Sequence, residues 1–386
     1  MRWCVVGGGM LGLTLAYRLA QAGEDVTVLE GAPAIGGLAS AWQIGDMTWD
    51  RHYHVTLLSD SALRAVLDDL GLDAQIRWVT TKTGFYADGR LSPMSDAIEY
   101  LKLPSLTMVD KARLGGTILW GSRVRDWKKL EQTPVESWLT RMSGERVFDR
   151  VWRPLLLAKL GESYHEASAA FIWATIQRLY AARRSGLKEE RFGYVPGGYA
   201  HVLARFAEVL HDEGVDIQTS CGVTSIDRDL TVHTTDGRAR RFEQVVVTAN
   251  PPVAARVCTA LTEVERKRLG AIKYQGVICA SLVLRAPLAA YYLTYLTDPG
   301  LPFTAIVEMT AFVDTDQTGG HHLVYLPLYV DPADPRFLLT DDELKDSFWP
   351  ALKRIHPHLG DEDLVAFQVS RVRSVFPIPT SGYSRT

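Results

Sequence analysis

The sequence predicts an α/β fold in which a Rossmann-like dinucleotide-binding domain is interleaved with an α+β substrate domain that carries a helical cap. Three observations predict it. The chain opens with a short apolar run, Trp3 to Val6, that ends in Gly7-Gly8-Gly9 and passes straight into a helical pattern at Leu11, Leu15 and Leu19. A second apolar run, Asp25 to Leu29, ends in an acid, Glu30. The alternation of strand and helix then gives way to a long, tryptophan-rich helical tract and resumes near residue 190. An interrupted nucleotide fold accounts for all three. Residues 1–75 and 190–255 are expected to form the nucleotide domain, and residues 76–189 and 256–386 the substrate and cap domain.

The first strand, turn and helix carry Gly7-x-Gly9-x-x-Gly12. Its glycines make the tight turn, let backbone approach a pyrophosphate and allow the helix to pack on the strand. Met10 and Leu11 open the helix, whose unpaired N–H groups and positive dipole end suit a phosphate. Glu30, at the end of the second strand, is placed to accept both hydroxyls of an adenosine ribose, and it argues against a 2′-phosphate.

The chain continues Gly31-Ala32-Pro33-Ala34-Ile35-Gly36-Gly37. This glycine doublet after the ribose acid resembles the second fingerprint of the FAD-binding amine oxidase, phytoene desaturase and protoporphyrinogen oxidase superfamily. The later segments "GYVPGG" (193–198) and "VVVTANP" (245–251) look like the same superfamily and extend the resemblance over most of the chain. The resemblance implies FAD, with Gly36, Gly37 and the residue after them near the pyrophosphate. Relatives usually have an arginine there, and this chain has Leu38. It also implies that Val223 meets the adenine through its backbone and that Ala249, at a strand exit, borders the cofactor. The implied chemistry is dehydrogenation of a C–N or C–C bond of a small or lipid-like substrate by hydride transfer to flavin N5. Alternatives are a non-redox flavoenzyme resembling UDP-galactopyranose mutase and a non-catalytic protein of the same fold. Relatives continue beyond the last substrate-domain strand into a segment that contacts the flavin. This sequence stops at Ser381-Gly382-Tyr383-Ser384-Arg385-Thr386, so a missing tail and weak FAD binding by the short form are expected.

Between the fingerprints, Ala41 to Ile44 and Met47 to Val55 read as strands, Ser59 to Leu70 as a helix and Phe85 to Leu91 as a hairpin. Asp96 to Arg184 reads as mainly helical. Val215 to Gln218 and Cys221 to Ile226 read as strands paired with each other, followed by a hairpin turning at Asp236-Gly237 and a strand from Gln244 to Thr248. Four more strands are expected near Ile278, Ile306, Leu326 and Val369.

Few reactive side chains are needed if a flavin accepts the hydride. Asp50-Arg51-His52-Tyr53-His54 is the densest polar cluster, and on a strand His52 and His54 would share one face. One imidazole facing the flavin and a polar patch at the domain seam are competing readings. Two histidines without a third ligand do not make a metal site. Glu308, in an apolar strand, needs a cavity or a salt-bridged rim. Tyr325 and Tyr329 share a strand face that either lines a pocket or packs in the core, and Arg371 and Arg373 share one that could clamp an anion.

A net charge of −3 gives no sign of a nucleic-acid partner. The four cysteines are scattered and read as buried apolar residues. A strand beginning at residue 3 leaves a cytoplasmic location as the expectation, with a small-molecule substrate and a homodimer as expected partners. From Leu101 to Trp127, apolar residues alternate with Lys102, Lys111, Arg113, Arg123 and Arg125. Such a segment can rest in a membrane interface, although a cap helix packed on its own domain is the commoner outcome.

Overall fold

The computed structural model describes residues 1–95, 99, 106–183 and 191–385. Its nucleotide-type sheet has four parallel strands in the order β10-β2-β1-β14: β1 is Arg2–Val6, β2 Asp25–Leu29, β10 Asp216–Gln218 and β14 Gln244–Val247. Both faces are covered, which is why β1 and β2 are apolar runs rather than alternating ones. On one face α1 (Met10–Gln21) and α8 (Gly198–Asp212) bury Leu13, Ala16, Val202 and Phe206 against Val5 and Val28. On the other, Cys4, Val6 and Leu29 meet Ile226, Val232 and Val257.

Those last residues come from a separate antiparallel sheet of β11 (Val223–Ile226), β12 (Thr231–Thr234) and β13 (Ala239–Arg241), and from α9 (Pro251–Val257). The strand Val223–Ile226 therefore does not pair with Asp216–Gln218, contrary to the sequence reading. The reason lies between them. Ser220 takes a left-handed conformation (φ 52°), and the N–H groups of Ser220 and Cys221 donate to the carbonyls of Ala32 and Glu30. The acid loop holds the chain and redirects it out of the parallel sheet.

The larger sheet has seven strands in the order β19-β15-β18-β17-β16-β7-β8. They are β7 (Thr83–Ala87), β8 (Arg90–Pro93), β15 (Tyr274–Leu284), β16 (Leu293–Leu296), β17 (Ala305–Glu308), β18 (His322–Val330) and β19 (Leu364–Pro377). The strands expected near Ile278, Ile306, Leu326 and Val369 are all present; β16 is additional. One face is closed by α10 (Asp341–Ile355) through Phe348 and Leu352. Trp49, Phe192 and Tyr194 pack on the other, from the hairpin β3 (Ala41–Ile44) and β4 (Met47–Asp50) and from the small sheet of β5 (Thr56–Leu57), β6 (Arg77–Thr80) and β9 (Arg191–Tyr194). The expected strand Met47 to Val55 stops at Asp50, because that residue's carboxylate and carbonyl are engaged by other elements, as described below.

The cap begins at α3 (Met108–Gly121), started by a reciprocal Thr107–Asp110 capping box, and continues through α4 (Trp127–Glu131) and α5 (Val135–Ser143). A π-helical turn, Phe148–Trp152, feeds α6 (Arg153–Leu160), and α7 (Ala169–Arg183) closes the bundle. Its core is Leu114, Trp138, Leu139, Phe148, Trp152 and Leu156. The helix α2 (Ser61–Asp69) occupies the expected position.

Helix α1 sits so close to β1 that a Cβ on Gly12 would stand 1.9 Å from the Gly7 carbonyl oxygen. Neither partner is a movable side chain. Gly12→Ala is expected to cost more than the ~1–3 kcal/mol typical of overpacking, read as a lowered unfolding midpoint in urea.

Candidate cofactor and active site

The first fingerprint forms an open backbone cradle. Gly7 leaves β1 at φ +113°, a conformation that L side chains rarely adopt, and Thr248 Oγ1 donates to the carbonyls of Val6 and Gly7. Helix α1 starts at Met10 with Gly9 as N-cap, no side-chain cap and no acid in its first turn. Its terminal N–H groups and positive dipole end thus remain for an external anion. A Cβ on Gly9 would meet nothing within 4 Å. The second fingerprint folds back over this turn: Gly36 N–H donates to the Gly8 carbonyl at 2.7 Å, and Gly36, at φ +116°, bridges Gly9. A Cβ on Gly37 would stand 3.3 Å from Gly9 Cα. Leu11 and Leu38 stand exposed at the rim.

Glu30 lies beside the cradle, its carboxylate accepting the N–H groups of Gly8 at 2.6 Å and Ala32 at 2.7 Å. A carboxylate accepts about four hydrogen bonds, so capacity remains for a ribose. Val223 opens β11 next to Gly222, which faces Gly31, and Ala249 follows β14 beside Gly7. The structure therefore gathers Gly7, Gly9, Met10, Leu11, Gly12, Glu30, Gly36, Gly37, Leu38 and Ala249 at one end of the parallel sheet, with Val223 at the acid side. An open glycine turn, a free helix N-terminus and an adjoining acid fit the pyrophosphate and ribose of FAD.

His52 and His54 do not share a strand face, because residues 51–55 have left the strand. They diverge. His52 Nε2 lies 3.2 Å from Ser370 Oγ on β19, and burial, helped by the charges of His54 and Arg51, pushes its pKa down to about 4. The His54 ring packs on Tyr199 of α8 at 5.0 Å, with Nδ1 3.8 Å from Asp50 Oδ2. It borders a small cavity of ≈ 20 Å³ with Trp49, Tyr194 and Tyr199. His54 thus lies where α8 meets the end of β4. No group of three His, Cys, Asp or Glu among the described residues could hold a metal.

Glu308 is 2% exposed and meets neither a cavity nor a salt-bridged rim: its carboxylate accepts the N–H groups of Leu288 at 2.9 Å and Ala289 at 3.0 Å, clamping a loop onto β17. Burial pushes its pKa up to about 7, with the two N–H donors working against the rise. Tyr325 is fully buried in the core, and its hydroxyl donates to the Asp50 carbonyl at 2.5 Å. Arg371 pairs with Asp341 at 2.7 Å and donates to the Leu339 carbonyl, while Arg373 donates to the Pro332 carbonyl. Those arginines tie β19 to neighbouring loops and do not form an anion clamp.

Tyr329, four residues further along β18 than Tyr325, has different surroundings. Lys159, from α6, donates to Tyr329 Oη at 2.6 Å, and Tyr329 Oη lies 3.0 Å from Tyr53 Oη. The Lys159 ammonium also stands 3.8 Å from the centre of the Tyr329 ring and 5.0 Å from that of Phe376. Burial, then the neighbouring Tyr329, raises the Tyr53 phenol well above its usual pKa, so it stays a neutral donor. Lys159 was not among the residues expected from sequence. The available signal was a lone cation in the apolar run Pro154-Leu155-Leu156-Leu157-Ala158-Lys159-Leu160.

The family model described as flavin containing amine oxidoreductase matches residues 11–385. A protein named coproporphyrinogen III oxidase from Mycobacterium tuberculosis is 32% identical over 163 residues, 40% of this chain and 36% of that protein. The chain thus matches little more than a third of that relative's length. Among solved structures, an oxidoreductase from Methanosarcina mazei superposes with TM-score 0.76 at 17% identity, covering 100% of this chain and 91% of the other. A reduced UDP-galactopyranose mutase gives TM-score 0.77 at 17% identity over 100% and 85%. Both likenesses are of fold.

Gly9→Ala, which disturbs no protein contact, should retain wild-type stability while FAD is lost on gel filtration; full yellow protein would exclude the cradle. Glu30→Ala removes charge-assisted bonds worth ~1.5–3 kcal/mol, so FAD titration should show affinity lower by roughly ten- to a hundred-fold.

Glu308 makes a pH prediction. Its folded pKa of about 7 lies above the ordinary 4.5, so the folded state binds the proton more tightly than the unfolded chain. Its contribution is therefore fully present below the ordinary value and declines as pH rises through that window, by on the order of 3 kcal/mol. His52 and His356, both pushed down to about 4, act with opposite sign. The difference between the stability curves of the wild type and Glu308→Gln isolates the carboxyl and should slope only in that window.

Proposed function

Since the chain belongs to the flavin-containing amine oxidoreductase family and is an FAD-dependent oxidoreductase, we propose that it dehydrogenates a C–N or C–C bond of a small or lipid-like substrate, using the Lys159–Tyr329–Tyr53 cluster to bind and orient that substrate. The observation behind this reading is that cluster, a half-buried chain of donors where cap helix α6 meets β18. Gly7 to Gly12, Glu30, Gly36 to Leu38 and Val223 would hold the cofactor. FAD, when bound, supplies the acceptor for the hydride of the substrate C–H bond.

Dehydrogenation also releases a proton from the adjacent nitrogen or carbon as the double bond forms; Tyr53 stays protonated, so that proton passes to solvent and the cluster acts by holding the substrate. Lys159 donates to Tyr329 Oη, which leaves the Tyr329 hydroxyl hydrogen to point at Tyr53 Oη. Successive donors polarise one another in a low-dielectric site, which strengthens the terminal hydroxyl. Tyr53 Oη is the atom that donates a hydrogen bond to the substrate and orients it, with Phe376 and the Tyr329 ring flanking the chain. With Leu38 after the doublet, backbone N–H groups and the α1 dipole carry the neutralisation of the pyrophosphate.

The reading requires net oxidation. Product formation should consume an electron acceptor in equal amount; product made with no acceptor consumed would overturn it in favour of non-redox flavin chemistry. Lys159→Met and Tyr53→Phe should keep their FAD but slow anaerobic bleaching of the flavin by roughly a hundred-fold, the cost of a mispositioned substrate. The effect should fall on kcat rather than KM. Wild-type bleaching in both variants would remove the cluster from the chemistry.

A further inference from the structure

Among the described residues twelve large hydrophobic side chains stand exposed, and six of them, Met108, Val109, Ile118, Leu119, Trp120 and Trp127, fall within twenty consecutive positions of the cap. The helical period explains the arrangement. Asp110, Lys111, Leu114, Thr117 and Gly121 form the buried face of α3, so Met108, Val109, Ala112, Gly116, Leu119 and Trp120 run along the opposite one. Gly115 and Gly116 flatten the middle of that face; a Cβ on either would touch nothing.

The border of this stripe is cationic. Residues 107–131 hold six basic and three acidic residues, a net of +3 in a chain whose total is −3. Two of the three acids are turned inward: Asp110 caps α3, and Glu131 accepts the Ser384 N–H and hydroxyl. Arg123, Arg125, Lys128 and Lys129 stand exposed, beside Trp127. None of the four enters an ion pair among the described residues. Lys102 and Leu103, which the sequence reading included, lie outside those residues.

We propose that this face of the cap docks the enzyme on an anionic lipid surface, with the stripe of α3 sunk among the acyl-chain ends of the headgroup layer and Arg123, Arg125, Lys128 and Lys129 against lipid phosphates. Apolar residues bordered by cations, with indole rings at the boundary, match the chemistry of that interface. A second copy of the chain fits less well, because a two-fold contact would set the two cationic borders against each other. No helix among the described residues is long and apolar enough to cross a membrane, so the contact lies in the plane of the surface.

The test uses the FAD-loaded protein in co-sedimentation with vesicles of phosphatidylcholine alone and of phosphatidylcholine mixed equally with phosphatidylglycerol. Binding is expected to the mixed vesicles, to weaken with added salt, and to be slight on phosphatidylcholine. Each cation near such a surface contributes about five-fold to partitioning, so Lys128→Gln with Lys129→Gln should lower it roughly twenty-five-fold. Leu119→Ser with Trp120→Ser should also release the protein. Both double variants should keep wild-type FAD content and melting temperature, which separates lost docking from lost folding. Failure of the wild type to bind mixed vesicles, or equal binding by the variants, would overturn the proposal. So would a solution dimer that Trp120→Ser dissociates, which would assign the face to a second copy. None of these outcomes depends on the redox reading.

Discussion

Asp50 is the residue on which the arrangement of the parts depends. Its carboxylate is buried and accepts the Tyr199 N–H at 2.7 Å, in the first turn of α8, while its carbonyl accepts the Tyr325 hydroxyl from the centre of β18. One residue at the end of a hairpin thus binds the nucleotide sheet's covering helix and the seven-stranded sheet together. Burial pushes the pKa of this carboxyl up, with His54 and then the Tyr199 N–H working against the rise. The positive end of the α8 dipole acts in the same direction. The approach is close: Gly198 lies in the left-handed region, and a Cβ there would stand 2.7 Å from Asp50 Oδ1. A side chain at position 198 would hold the helix off the acid and open the seam that His54 and Tyr199 line.

From this node the two halves divide the work. The nucleotide side uses almost no side-chain chemistry; it offers glycines, a helix end and one acid, and its specificity comes from what is left out. The substrate side concentrates its polarity in a few residues set among aromatic rings. Such a division suits an enzyme whose cofactor performs the bond-breaking step, since binding a nucleotide needs close backbone approach.

The nucleotide fold was legible because its signals are local. Gly7, Gly9, Gly12, Glu30, Gly36 and Gly37 meet through contacts that a strand, a turn and a helix impose within forty residues. The substrate side was less so, because its decisive contacts join distant segments. Period two rightly placed Tyr325 and Tyr329 on one face of β18, but no pattern in β18 tells that Asp50 covers the first and Lys159 the second. His52 and His54 were assigned a common face on the premise that a strand persisted, and the demands on Asp50 ended it. A carboxylate at Glu308 in an apolar strand needs partners; that these are backbone N–H groups from the loop at Leu288 rather than a cation or a cavity depends on the path of the chain between β15 and β16.

The π-helical turn at Phe148–Trp152 bears on evolution and engineering as much as on packing. A π turn holds one residue more than the α turn it replaces, and each residue advances a helix by about 100°. Everything C-terminal to it in the same rod, including Lys159, therefore takes its angular position from that extra residue. Deleting one residue from the turn would conserve every side chain of the Lys159–Tyr329–Tyr53 cluster and still swing the ammonium onto another side of α6. Related chains that differ by a single residue in this loopless stretch would thus differ in which side of α6 carries the cation, without any substitution at the cation itself.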